Sequence, residues 1–165
     1  MKLLYIGHYR DGSGWAIAAQ NYILALDHAG VDVVCRPVKL NDYQGTLPER
    51  LLELEAKDIH GCDVVIQNVL PHLMDYHGGM YNIGLPYVES TIKGTPWVTH
   101  LETMDEVWVT NHSSMENLKE SGINATIIDM PLSLDKYVDV QTAELPTDGD
   151  YVFYTIGEMG RRKNT

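Results

Sequence analysis

Residues 2–26, KLLYIGHYRDGSGWAIAAQNYILAL, decide the fold. The apolar run at 2–7 stops abruptly at polar residues. Beyond it, Gly12-Ser13-Gly14 opens a stretch in which Trp15, Ala18, Ala19, Tyr22, Ile23 and Leu26 recur three or four apart. The short run reads as a buried strand, and the spacing that follows puts those six side chains on one face of a helix. Gly30 supplies the stop, so the pattern predicts strand, glycine loop and helix, the helix running over 14–29.

The same alternation continues outward. VDVVCRPV at 31–38 is rich in β-branched residues, LPERLLELEAKDIH at 47–60 reads as a helix with proline in its first turn, and CDVVIQNV at 62–69 is a third strand. LPHLMDYHGGM at 70–80 has no clean period and reads as a loop at the end of that strand. A fourth strand is expected at 82–90, a short helix at 95–104 and a fifth strand at 106–111. At 113–122, Ser113 and Glu116 have capping-box spacing and Gly122 closes the helix, with a sixth strand at 125–130. This order predicts an α/β domain with a mostly parallel sheet and helices on both faces. From 132 to 150 the chain turns polar and linker-like, before YVFYTIG at 151–157 resumes a strand pattern and runs into a basic end. The division expected is one domain over 1–150 and the opening of a second over 151–165.

Composition narrows the functions. Twelve Lys and Arg face 23 Asp and Glu, a formal net charge of -11, which offers no broad field for a phosphate backbone or an anionic membrane. Nucleic-acid binding and strong membrane-surface binding are therefore not expected. Cys35 and Cys62 stand alone, without metal-type spacing or a disulfide framework. With no leader-like segment and no long apolar run, the reading is a cytoplasmic protein.

Several residues are placed to carry chemistry. Gly12, Ser13 and Gly14 precede a helix N-terminus, where backbone N–H groups can meet a phosphate or a sugar hydroxyl. The dinucleotide fingerprint is incomplete, because Ile17 stands where a third glycine is needed, and Asp11 adds a negative charge beside the turn. Glu89 can hydrogen-bond a sugar hydroxyl or act on a proton, or else pair with Lys93 on the surface. His100 is either a cleft residue or one satisfied by a neighbouring carbonyl. His72 and His77, with Asp75 between them, are read as solvated loop residues rather than as a metal site. Ser113 and Ser114 lack a hydrolase setting and are read as capping residues. Arg161, Arg162 and Lys163 cluster in an otherwise acidic chain, suited either to a diphosphate or to solvent.

Taken in order, YIGHYRDGSGWAIAAQNYILAL, YVESTIKGTPW, MDEVWVTNHSSMENLKESGI, IIDMPLSLDKY and YVFYTIGEMGRRKN resemble the N-terminal half of a two-Rossmann-domain (GT-B) glycosyltransferase of retaining family 4. The DEVWV strand is the most specific of these matches. The resemblance implies a Rossmann-like acceptor-side domain that works with a C-terminal donor-binding domain, of which only the first strand and basic loop fall within the chain. It implies transfer of a sugar from a nucleotide-sugar donor to a glycan or other acceptor, without metal or further cofactor. Gly12, Ser13 and Gly14 would face the donor phosphates, Arg162 and Lys163 would neutralise the leaving diphosphate, and Glu89 would be catalytic in the cleft, with His100 a second candidate. The family's E-x7-E carboxylate pair belongs to the donor domain. The competing expectation is a non-catalytic glycan-binding or interaction module of the same fold.

Overall fold

A computed structural model describes residues 1–134, 138–141, 151 and 153. Met1–Ser133 form one compact unit, distinct from Leu134–Thr165. Within the first unit six strands alternate with four helices: β1 (Lys2–Gly7), α1 (Gly14–His28), β2 (Asp32–Pro37), α2 (Glu49–Ala56), β3 (Val64–Asn68), β4 (Tyr81–Gly84), α3 (Trp97–Glu102), β5 (Glu106–Val109), α4 (His112–Glu120) and β6 (Thr126–Ile127). The sheet order is β2-β1-β3-β4-β5-β6, and every adjacent pair is parallel. This is the Rossmann-like α/β architecture expected from the alternation. The winding reverses between β1 and β3, paired from Leu3↔Val64 to Gly7↔Asn68, so a crevice opens at their carboxyl ends.

Alternation along β5 shows how both faces are covered. Val107 and Val109 pack with Leu101 of α3 and Leu118 of α4, whereas Trp108 packs with Tyr5, Tyr22 and Ile23. Successive strand side chains point to opposite faces, so α3 and α4 lie on one side of the sheet and α1 on the other. Ala16, Ala18 and Ala19 are buried and short, which lets α1 lie close to the sheet, while Ile17 points outward at 53% exposure. The position that lacks the third fingerprint glycine thus carries no packing demand.

Several expected elements are shorter, the sixth strand most of all at Thr126–Ile127 rather than 125–130, and three differ for a visible reason. The second helix is Glu49–Ala56 rather than 47–60, with Pro48 as its N-cap residue. It stops because the Arg36 guanidinium takes the carbonyls of Glu55 at 2.6 Å and Lys57 at 2.7 Å, and Lys57 is extended. The fourth strand ends at Gly84: Leu85 N–H still donates to the Gln67 carbonyl at 2.9 Å, but Pro86 has no N–H to continue. The fourth helix begins at His112, because Asn111 rather than Ser113 is the N-cap, its Oδ1 accepting from Ser114 N–H at 2.8 Å. The strand expected at 151–157 and most of the linker expected at 132–150 lie outside the described residues. Among the described residues, no helix is long and apolar enough to cross a membrane.

Two outcomes follow from the contacts around α2. Arg36→Met should lower stability to urea by about 1.5–3 kcal/mol, since carbonyls of a helix end lose a charged donor. Glu55 contributes a pH dependence: the Arg10 guanidinium, at 2.7 Å, and the Tyr9 hydroxyl hold its carboxyl below the ordinary glutamate value against the effect of burial. Its contribution is complete above the unfolded glutamate pKa and fades as pH falls through the lower folded value. Urea midpoints measured from neutral to acid pH should therefore fall less steeply in Glu55→Gln than in the parent.

Candidate functional site

Three of the parallel strands release their chains into one cavity at the carboxyl edge of the sheet. It measures about 290 Å³ and is walled by Gly14, Trp15 and Ala18 of α1, by Tyr87, Val88 and Glu89 after β4, and by Thr110, Asn111 and Ser114 around the start of α4, with Met130 at its rim. That is the small end of the usual range for ligand pockets, roughly 300–1,000 Å³, and suits one small ring better than an entire nucleotide sugar. None of these wall residues is a lysine or arginine. A site walled by a carboxylate, an amide, hydroxyls and aromatic rings favours a neutral, hydroxyl-bearing ligand over an anion.

Each wall is held from behind. The Ser114 hydroxyl, buried, donates to the Val88 carbonyl at 2.7 Å and ties the chain that carries Glu89 to α4. The Asn111 amide caps α4 and also donates to Thr110 Oγ1 at 3.2 Å. Trp15 meets Tyr87 edge-to-face at 4.6 Å between ring centroids and His8 at 5.7 Å. Burial, reinforced by Tyr22 nearby, pushes the Tyr87 phenol up to about 12, while the Asn68 side chain opposes the rise. Tyr87 is therefore a neutral hydroxyl at physiological pH.

Gly14 and Glu89, singled out from sequence, lie in walls of this same cavity. A Cβ at Gly14 would meet nothing within 4 Å, so the absent side chain leaves room in the cavity and is not a packing requirement of the fold. Glu89 is exposed and makes no ion pair with Lys93. Gly12 and Ser13 do not line the cavity. Ser13 is the N-cap of α1, accepting from Ala16 N–H at 3.2 Å, and its own N–H and hydroxyl both donate to Asp11 Oδ1. A carboxylate thus stands beside the N-terminus of α1, next to the turn that the resemblance assigns to the donor phosphates.

His100 is not in the cavity wall. Its Nδ1 lies 3.1 Å from the Met74 carbonyl, which matches the alternative of a histidine satisfied by backbone. His72 stacks on Trp97, His77 is bound through its backbone to Asn82, and among the described residues no three His, Cys, Asp or Glu side chains converge as a metal site requires. Arg162 and Lys163 lie outside the described residues. Sequence reasoning does not single out the wall residues Tyr87, Thr110 and Asn111, all of which sit one to three residues beyond a strand's carboxyl end; that position is the signal available. Trp15, read from sequence only as part of the helix's apolar face, also walls the cavity, as does Ala18 of the same face.

Comparisons with family models, with curated proteins and with solved structures find no match to this chain.

If Ser114 anchors the cavity's outer wall, Ser114→Ala should cost about 1–3 kcal/mol by leaving the buried Val88 carbonyl without its donor. Hydrogen exchange should then quicken at Val88 and Glu89 while the amides of β1 and β3 remain protected. Uniform loss of protection would assign the residue to global stability instead.

Proposed function

We propose that Met1–Ser133 is the acceptor-binding half of a retaining, family-4-like glycosyltransferase, which moves a sugar from a nucleotide-sugar donor to a hydroxyl of a glycan or other acceptor. The observation that carries this reading is the neutral cavity at the carboxyl edge of the parallel sheet, which Gly14 and Glu89 help to wall. Glu89 accepts a hydrogen bond from a hydroxyl of the acceptor and fixes its direction. Trp15 and Tyr87 offer apolar surface to the C–H face of a sugar ring, and Thr110 with Asn111 supplies further polar contacts. In the transfer step the new bond from acceptor oxygen to anomeric carbon replaces the bond to the diphosphate, and the acceptor's proton leaves with the diphosphate. Arg162 and Lys163 are assigned to neutralise that leaving group, a task that a metal performs in other enzymes.

The cavity's size and its lack of lysine and arginine support an acceptor subsite rather than a donor site. Asp11 beside the α1 N-terminus supports the same division, because it opposes a phosphate there. On this reading the donor phosphates are held by other groups, and Gly14 serves the acceptor.

The test is a titration of the isotopically labelled full chain with neutral methyl glycosides and, separately, with UDP-glucose and GDP-mannose. Glycosides should shift the resonances of Gly14, Trp15, Glu89 and Asn111. Glu89→Gln should weaken that binding roughly tenfold, the worth of one charged hydrogen bond, without changing the urea midpoint. Gly14→Val should abolish it by filling the space. Glycoside binding that is indifferent to Glu89→Gln would favour the non-catalytic module, and absence of any glycoside response would remove the acceptor reading.

A further inference from the structure

Next to Trp15 and Tyr87, which wall the cavity, lies a group of buried polar atoms without partners among the described residues: His8 Nε2, Asn68 Oδ1, and the hydroxyls of Tyr87 and Tyr5. They are close neighbours in the fold. His8 and Asn68 leave the carboxyl ends of β1 and β3, where Gly7 pairs with Asn68 and the winding reverses. Trp15 touches the rings of both His8 and Tyr87, and the Asn68 side chain leans on the Tyr87 phenol without forming a well-aligned hydrogen bond. His8 and Asn68 are fully buried.

The second nitrogen or amide of each residue is already engaged, which fixes what the free atom offers. His8 Nδ1 lies 2.8 Å from the Val38 carbonyl, an acceptor only, so Nδ1 carries the hydrogen, the tautomer in which Nε2 is an acceptor. Asn68 Nδ2 donates to the Leu85 carbonyl at 2.7 Å, which leaves Oδ1 as a second acceptor. The Tyr87 hydroxyl can donate. Two acceptors and a donor are complementary to a pair of hydroxyl groups and hostile to an anion. A single buried polar atom without a partner is costly, and several together are rare in native proteins unless something polar joins them.

We propose that these atoms form an inner compartment of the acceptor site, which takes a vicinal diol of the ligand. One ligand hydroxyl donates to His8 Nε2 and accepts from Tyr87, the other donates to Asn68 Oδ1, and the Trp15 side chain turns aside to admit them. The inference rests on the glycoside reading of the cavity and deepens it. It assigns His8, at the centre of the sheet edge, to recognition of the ligand.

The experiment follows the His8 ring nitrogens by ¹⁵N resonance in the full chain during titration with methyl α-glucoside and methyl α-mannoside, with the Trp15 indole as the reporter of cavity occupancy. Binding should move the Nε2 resonance together with that of Trp15. His8→Asn keeps a donor for the Val38 carbonyl but lacks the Nε2 lone pair, and it should lose at least tenfold in affinity while the thermal midpoint changes little. Tyr87→Phe provides an independent variant if that substitution unfolds the chain: removing an unpartnered hydroxyl should raise the thermal midpoint of the free protein and weaken glycoside binding. If Trp15 responds while Nε2 and both variants' affinities do not, the compartment holds only buried water and the inference is overturned with the cavity reading intact. If neither reporter responds to any glycoside, both readings fail.

Discussion

β1 has a hydrogen-bonded parallel partner on each side, β2 and β3, and neither of its edges meets solvent. Its backbone is therefore satisfied within the ladder, its side chains Leu3, Leu4 and Tyr5 are buried on alternate faces, and its carboxyl end emerges in the interior of the sheet edge. Everything at the cavity depends on that exit. The chain after Gly7 must pass beneath α1, which puts His8 out of solvent, and it can begin α1 only after the turn that Asp11 and Ser13 stabilise. Because Ala16, Ala18 and Ala19 allow close packing, the first turn of α1 brings Trp15 against both His8 and Tyr87. Tightness at this point has a further sign: a Cβ at Gly7 would stand 2.9 Å from the Tyr5 ring and 3.4 Å from the Asn68 carbonyl. Any larger residue at this position would push the buried Tyr5 ring aside, whereas the Asn68 carbonyl of the neighbouring strand stands at ordinary contact distance.

The fold was legible because its elements are governed by local pattern. The apolar run of β1, the three-and-four spacing of α1 and the glycines at 30 and 122 are each read from a few neighbouring residues, and both glycines have the positive φ their positions need. The differences arise where a distant group intervenes. Nothing between 47 and 60 announces that Arg36 on β2 will seize the end of α2. The 82–90 run looks continuous in hydropathy, and only the missing N–H of Pro86 cuts it short. Asn111 and Ser113 are both credible caps, and the choice between them is made by Ser114, whose hydroxyl must reach Val88.

The site was half legible for the same reason. Gly14 and Glu89 follow strands and have types that point to ligand contact, so position and chemistry could be read together. His8 was adjacent to the quoted glycine loop, yet nothing in a linear pattern distinguishes a ring nitrogen engaged by Val38 from one left free. That distinction appears only when the carbonyl of a residue thirty positions away closes on Nδ1. His100 is the counterexample, since a comparable contact with Met74 occurs on a short helix outside the cavity. A histidine's role in this domain is set by what surrounds its second nitrogen, more than by the carbonyl that holds the first.

Electrostatics draws these points into one argument. The chain carries a net charge of -11, Asp11 stands beside the first helix N-terminus, and Glu89 stands in the cavity wall without a cation among its fellow wall residues. A phosphate brought to this edge would meet the Glu89 carboxylate in the cavity wall, with Asp11 beside the helix N-terminus and no cation among the wall residues to offset either. A neutral polyol meets no such barrier, and on the proposed reading its hydroxyls donate to Glu89 and to the acceptors of His8 and Asn68. On that reading, the same acidity that disfavours nucleic acid also favours, at the carboxyl edge of the sheet, a ligand whose recognition depends on hydroxyl donors. In a two-domain transferase such a surface would keep the acceptor site free of the nucleotide it must not bind.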